Sequence, residues 1–169
     1  MPELKGSKTE KDLLEAFAGE SQANRRYLAF SKQAEKEGYH QVARLFRAAA
    51  EAETVHAHNH LRALGAVKTT AENLKEAISG ETHEFKTMYP AMIEDAHQEG
   101  QKAAERSFVY ANEVEKEHAA LYEQALNGPD KLDEVDYFVC SVCGYVFEKE
   151  PPEKCPVCGS TSTVFFKVD

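Results

Sequence analysis

Glutamate recurs along this chain where a helix would be expected to be apolar. Followed at helical spacing, one stripe runs Leu13, Phe17, Glu20, Tyr27, Ala34, and a second runs Val42, Phe46, Ala49, Glu53, His56. A third takes in Leu74, Ala77, Ile78, Glu81, Glu84, Phe85, Met88 and Met92, and a fourth Phe108, Ala111, Glu115, His118 and Tyr122. A single such glutamate reads equally well as a solvated edge. The set does not, because a four-helix bundle built on these stripes would centre five carboxylates, Glu20, Glu53, Glu81, Glu84 and Glu115. Unpaired buried charge costs several kcal/mol per ion, and no Lys or Arg shares the stripes. Two histidines do, each three residues after a glutamate: Glu53/His56 and Glu115/His118. Glu-x-x-His on two helices, with a glutamate from each of two others, is the constellation that holds two iron or two manganese ions in a bundle core.

Residues three apart project over adjacent patches of a helix, so a glutamate can bridge two metals while the histidine caps one. Glu53 and Glu115 would bridge, and Glu20 and Glu81 would be terminal. Carboxylate with imidazole favours iron or manganese over softer metals. His60, one turn past His56, could form a metal pair with it, whereas His40, His58, His83 and His97 read as surface or core-edge. Tyr27 and Tyr89 are polar-tipped and near the charged layer, either as packing residues or as hydrogen-bond donors to ligand carboxylates.

The punctuation agrees with four helices of roughly 25 to 30 residues, about 40 Å each. Stops are expected at Gly38, Gly65, Gly100 and Gly128-Pro129. Ser7 to Glu10 and Thr69 to Glu72 have capping-box spacing. Pro90 is expected to kink the third helix without ending it. Gly80 parallels Gly19, each just before a site glutamate, and is read as permitting close approach or a local bulge there. The similarity of "GESQANRRY" to "GETHEFKTMY", and of "EAETVHAH" to "NEVEKEHA", suggests a duplicated helical hairpin.

After residue 128 the composition changes. Residues 129–136 form an acidic linker, and residues 137–169 hold all four cysteines as two C-x-x-C pairs, Cys140/Cys143 and Cys155/Cys158. This segment is too small for a self-sufficient core, so a short-stranded module clipped by a metal is expected. In a reducing compartment two such pairs mark a metal site. Zinc would make a structural ribbon and iron a one-electron centre, and the spacing accommodates both. Tyr137, Phe138, Tyr145, Phe165 and Phe166 are expected to surround it. The net charge of −9 from 29 acidic and 20 basic residues opposes nucleic acid and anionic membrane. No signal-peptide pattern or membrane-length apolar run is seen, so a soluble cytoplasmic protein is expected.

"AFAGESQANRRY", "AEAETVHA", "GETHEFKTMYP", "EVEKEHA" and "CSVCGY" with "CPVCG", in this order, resemble the rubrerythrin family over essentially the whole length. The resemblance implies a mainly α protein: a ferritin-like four-helix bundle over residues 1–128 and a small C-terminal rubredoxin-like β module over 137–169. It implies a non-sulfur di-iron site, an iron on four thiolates, and reduction of hydrogen peroxide to water in oxidative stress defence. Glu53 and Glu115 would bridge the irons, Glu20 would be terminal on one, and Glu81 and His118 would bind the other. Glu84 and His56 would be an exchangeable pair, the carboxylate taken when oxidised and the imidazole when reduced. Tyr27 and Tyr89 would be the tyrosines beside the ligands. Electrons would come from a rubredoxin or a reductase and cross between subunits of a head-to-tail dimer. The rival reading is a ferroxidase or iron-storage protein built on the same bundle site.

Overall fold

A computed structural model describes residues 4–168. Helices α1 (Lys8–Lys36) and α2 (His40–Leu64) form a hairpin. Ser7 caps α1, its hydroxyl accepting from the Glu10 amide at 3.1 Å, while the Glu10 carboxylate accepts from the Gly6 amide at 2.6 Å. Gly38 and Gly65 end the two helices at φ 82° and 63°, a conformation that a β-carbon would strain.

Small residues make the α1–α2 seam. Ala43, Ala50 and Ala57 recur every seventh residue on α2 and are buried, as are Ser31 and Ala34 on α1. The Asn24 side-chain amide fastens the two helices, donating to the Ala50 carbonyl at 2.7 Å and to the Thr54 hydroxyl at 2.8 Å. The sequence stripe put Val42 and Ala49 inward; in this hairpin the seam is one residue further on and Val42 is exposed. The stripe that carries Glu53 and the stripe that packs α1 are neighbouring faces of one helix, and periodicity alone merges them.

The division into compact units falls between Lys68 and Thr69, ahead of the compositional change at 129–136. The second unit begins with α3 (Thr70–His83), whose Thr69–Glu72 capping box is closed from both sides. A single π-helical turn, Glu84–Met88, leads into α4 (Tyr89–Gln98), and α5 (Lys102–Asn127) follows after Gly100. Pro90 interrupts the third helical run without ending it, as expected. A proline gives no amide to the carbonyl four residues back and its ring crowds that carbonyl. The chain reaches it through a wider turn, in which the Tyr89 amide bonds the Glu84 carbonyl five residues back. The bulge lies here and not at Gly80, which sits in regular α-helix; among the described residues nothing lies within 4 Å of a β-carbon built on Gly80 or Gly19.

Past a 3-10 turn at Pro129–Lys131, three antiparallel strands, β1 (Tyr137–Cys140), β2 (Val146–Glu148) and β3 (Phe165–Val168), form a sheet in the order β2-β1-β3. Tyr145, Phe147 and Phe165 stack through centroid separations of 4.7 and 4.9 Å. Phe147 joins the expected aromatic surround, while Phe166, on the opposite face of β3 from Phe165, is exposed. No described helix is long and apolar enough to cross a membrane.

Candidate metal centres

Three groups of potential ligands stand out among the described residues, and they contain ten of the eleven predicted ligand residues. In the first hairpin, donor atoms of Glu20, Glu53 and His56 lie within 4.8 Å of one another. His56 Nδ1 is 2.9 Å from Glu53 Oε2. In the second unit Glu81, Glu115 and His118 form the matching group, with His118 Nδ1 2.8 Å from Glu115 Oε2. The repeat seen in sequence is thus a repeat of ligand geometry. In both, the histidine turns Nδ1 toward the carboxylate three residues before it.

The eleventh residue, Glu84, opens the π-turn one helical turn after Glu81. Burial and the Glu115 charge push its carboxyl above the usual range. The same causes, burial first and then Glu115, bring Glu81 to about 7. Like charges crowded in a partly desolvated site resist ionisation, and a bound cation reverses that preference. The donor set therefore fits a hard divalent or trivalent ion. Tyr89 lies in the same field: burial and the Glu84, Glu115 and Glu81 carboxylates raise its phenol, keeping it a hydrogen-bond donor. Tyr27 sits among rings, 6.4 Å from Phe30 and 6.1 Å from Phe46. His40, His58, His83 and His97 are exposed, and His60 belongs to none of the three groups.

The raised carboxyls have a consequence for the metal-free protein. A group that titrates higher when folded holds its stability below the unfolded value, here 4.5 for Glu81, and loses it as pH rises through about 7. Glu84 and His118 are raised as well and act in the same direction. Glu81 is half-buried, and the solvent that still reaches it screens the effect to on the order of 1 kcal/mol. The metal-free protein should melt about 2–4 °C lower at pH 8 than at pH 5.5, and Glu81→Gln should flatten that dependence. An unaltered slope in the variant would show that Glu81 is not its source.

The third group is the four cysteines. Sγ of Cys140 is 3.7 Å from that of Cys158, and Sγ of Cys143 is 3.5 Å from that of Cys155. Sulfurs ~2.3 Å from a tetrahedral metal stand ~3.8 Å apart, and a disulfide would need about 2.05 Å. The two C-x-x-C-G turns are built alike. The Gly144 amide bonds the Cys140 carbonyl at 2.8 Å and the Gly159 amide the Cys155 carbonyl at 2.9 Å, with φ of 88° and 73° at the glycines. Amides are aimed at the sulfurs: that of Tyr145 at Cys143 and that of Ser160 at Cys158. Burial pushes the Cys143 and Cys155 thiols up. At Cys158 burial acts the same way, but the Ser160 hydroxyl and amide outweigh it and bring the thiol to about 6.

What the sequence reading missed is the seat of this module. Gly144 rests on α5, where a β-carbon on it would meet Val114 Cγ1 at 3.8 Å, and Tyr145 lies against Glu117. Val114, one turn before His118 on α5, is not among the residues that the Phe108–Ala111–Glu115–His118–Tyr122 stripe picks out, because it lies at that stripe's edge.

A di-metal carboxylate constellation in helical hairpins, followed by a four-thiolate module, defines a class of metal-binding oxidoreductase-type protein. The rubrerythrin family model matches residues 11–126 and the model of the rubrerythrin rubredoxin-like domain residues 138–166, and the chain belongs to the rubrerythrin family. It is 38% identical to rubrerythrin-2 of Clostridium acetobutylicum over 92% of this chain and 94% of that one. It is 40% identical to rubrerythrin of Porphyromonas gingivalis, covering 96% and 90% of the two chains. Among solved structures it is similar to nigerythrin in its fully reduced, all-ferrous state, with a TM-score of 0.59, 33% identity and coverage of 98% and 91%. The family's cofactors, a carboxylate-bound di-iron centre and an iron on four cysteines, suit the donors found here.

Proposed function

We propose that this chain reduces hydrogen peroxide to water at a di-iron centre whose electrons arrive through the four-cysteine iron. The observation that carries this reading is an asymmetry between two otherwise matching Glu-x-x-His groups. Glu84 is added beside Glu81, Glu115 and His118, whereas Ala23 stands at the corresponding position after Glu20. A second difference supports it. The His56 side chain is 54% exposed and that of His118 only 25%, so His56 has room to move and His118 is held.

In this reading Glu53 and Glu115 would bridge two irons, Glu20 would be terminal on one, and Glu81 and His118 would hold the other. Glu84 and His56 would be the pair available to exchange with oxidation state. Bound iron supplies the two electrons that peroxide reduction needs, one from each metal. The residues set the charge around it. Five carboxylates leave an excess of about −1 against two ferrous ions, so exchanging Glu84 for neutral His56 relieves the reduced state. Against two ferric ions the hard anionic ligand is preferred. The Tyr89 phenol, held protonated, can donate to a ligand carboxylate or to bound peroxide.

Reduced thiols and a net negative charge suit a cytoplasmic protein, fed by a rubredoxin-type donor or a reductase and assembled as an even-numbered homo-oligomer. A ferroxidase would use the same carboxylates but has no need of the four-cysteine site. Glu84→Ala should lower peroxide turnover at least tenfold, the order expected when a group that tunes a metal is removed, and leave the visible spectrum of the thiolate-bound iron unchanged. Undiminished turnover, or mineral accumulation in place of peroxide consumption by the wild type, would overturn the reading.

A further inference from the structure

The connections between helices decide which hairpins can share a metal site. In the proposed ligand set His118 holds one iron and His56 is available to the other, with Glu53 and Glu115 between them. Each histidine follows its glutamate by three residues, so it stands on the C-terminal side of the bridge along its own helix. The two rings reach different metals only when α2 and α5 run in opposite directions. Parallel, they would crowd one metal and leave the other without imidazole. The α3–α4 run and α5 form an antiparallel hairpin through residues 99–101, so α2 has to run parallel to α3. That is the ferritin-like arrangement, which contains one long crossover connection.

Among the described residues no connection is long enough. Residues 37–39 and 99–101 are hairpin turns, and α2 and α3 are joined by residues 65–69 alone. Glu53 lies eleven residues before Leu64, the end of α2, and Glu81 eleven after Thr70, the start of α3. With the helices parallel and the two glutamates level, the chain has to travel back about 33 Å between those ends, at ~1.5 Å per residue. The stretch from Leu64 to Thr70 covers at most about 22 Å when fully extended. It is not fully extended: Gly65 has φ 63°, and the amides of Gly65 and Ala66 bond back to the Arg62 and Leu61 carbonyls, both at 3.0 Å. The two ligand groups of one chain cannot close on each other in this arrangement.

Each hairpin also leaves a matching apolar layer open. Two turns from the ligands, Tyr27 packs with Phe30 and Phe46 in one hairpin and Tyr89 with Phe108 in the other. Phe30 and Met92, each three residues past the tyrosine, are 47% and 37% exposed.

We propose that two copies of the chain exchange hairpins, so that each di-metal centre joins the Glu20–Glu53–His56 group of one chain to the Glu81–Glu115–His118 group of its partner, with Glu84 on the partner's side. A twofold dimer then holds two complete centres, and a single chain holds none. The inference rests on the ligand set of the peroxidase reading and names the subunit that supplies each half. The short α2–α3 connection is the cause: a hairpin handed to a second copy needs no path back along the bundle.

Complementation between two full-length chains tests the exchange. One chain carries Glu53→Ala and the other Glu115→Ala; they are expressed together with different tags, and dimers are isolated through both tags. Iron bound beyond the cysteine-held ion is counted, and peroxide turnover is measured separately. Each variant alone has a lesion in every centre and should hold no such iron. With exchanged hairpins the mixed dimer has one centre with both lesions and one with neither, so about half of the wild-type iron at this site should return. Centres closed within single chains would carry one lesion each, and iron no higher than in the parents would sink the proposal. The isosteric pair Glu53→Gln and Glu115→Gln repeats the test should an alanine chain fail to fold. Iron regained without peroxide turnover would leave the exchange standing and sink the peroxidase reading. Turnover by the wild type with no iron regained in the mixed dimer would do the reverse.

Discussion

Replacing Cys155 by serine should remove the ordered structure of residues 137–168 altogether, while the α1–α2 hairpin keeps its helicity. The sheet has strands of four, three and four residues, and Cys140 and Cys155, at 1% and 2% exposed, are among the few fully buried side chains of the described chain. So small an assembly has no apolar interior to fall back on. Metal binding is its folding free energy, about 10–16 kcal/mol for structural zinc sites in small peptides, and a serine hydroxyl does not replace a thiolate. Loss of the module also bares Val114, a residue of the size whose burial contributes roughly 1.5–3 kcal/mol, so protection in the middle of α5 should weaken with it. Amide exchange together with the thiolate-iron absorption decides the matter. Slow exchange persisting in β1 and β3 without bound metal would show that the sheet stands on its own.

Much of this architecture can be read from the residues because it rests on local rules. Ser7 and Thr69 cap the helices that their spacing announces, and Gly38, Gly65 and Gly100 take the positive φ that a helix stop requires. Glu53/His56, Glu115/His118 and the two cysteine pairs meet because residues three apart on a helix, or across a C-x-x-C turn, have little freedom to do otherwise. The π-turn was misplaced because two local signals, Gly80 and Pro90, compete, and the missing amide of Pro90 outweighs the flexibility of Gly80. Val114, Gly144 and the Asn24–Thr54 fastening were not legible. Each depends on which face of a helix meets a segment far away in sequence, and periodicity marks a face without naming its partner.

The two Glu-x-x-His groups show how far duplication carries and where it stops. Both histidines turn Nδ1 to a carboxylate at nearly the same distance, 2.9 and 2.8 Å. The second group alone acquires Glu84 and the π-turn. Apart from the greater exposure of His56, the features that break the likeness of the two groups have collected on one hairpin, in one compact unit with the four thiolates.

Glu115 is the electrostatic hub of that hairpin, and Glu115→Ala should therefore act in opposite directions on function and on metal-free stability. Its carboxylate is among the causes that raise Glu81, Glu84, Tyr89 and His118. Without it His118 loses the 2.8 Å partner of Nδ1, and in the proposed ligand set a bridging carboxylate would be gone. Loss of mere supporting groups lowers metal affinity 10- to 100-fold, so peroxide turnover should fall by at least about 100-fold, with metal at this site below detection. The metal-free protein should respond the other way. Removing one of three crowded carboxylates lets Glu81 ionise nearer its ordinary range, and the penalty that grows between pH 4.5 and about 7 shrinks. Above pH 7 the variant should be as stable as the wild type or more so, by up to about 1 kcal/mol after solvent screening. Destabilisation at pH 8 would mean that Glu115 is chiefly a structural partner of His118. Unchanged metal content would remove it from the ligand set.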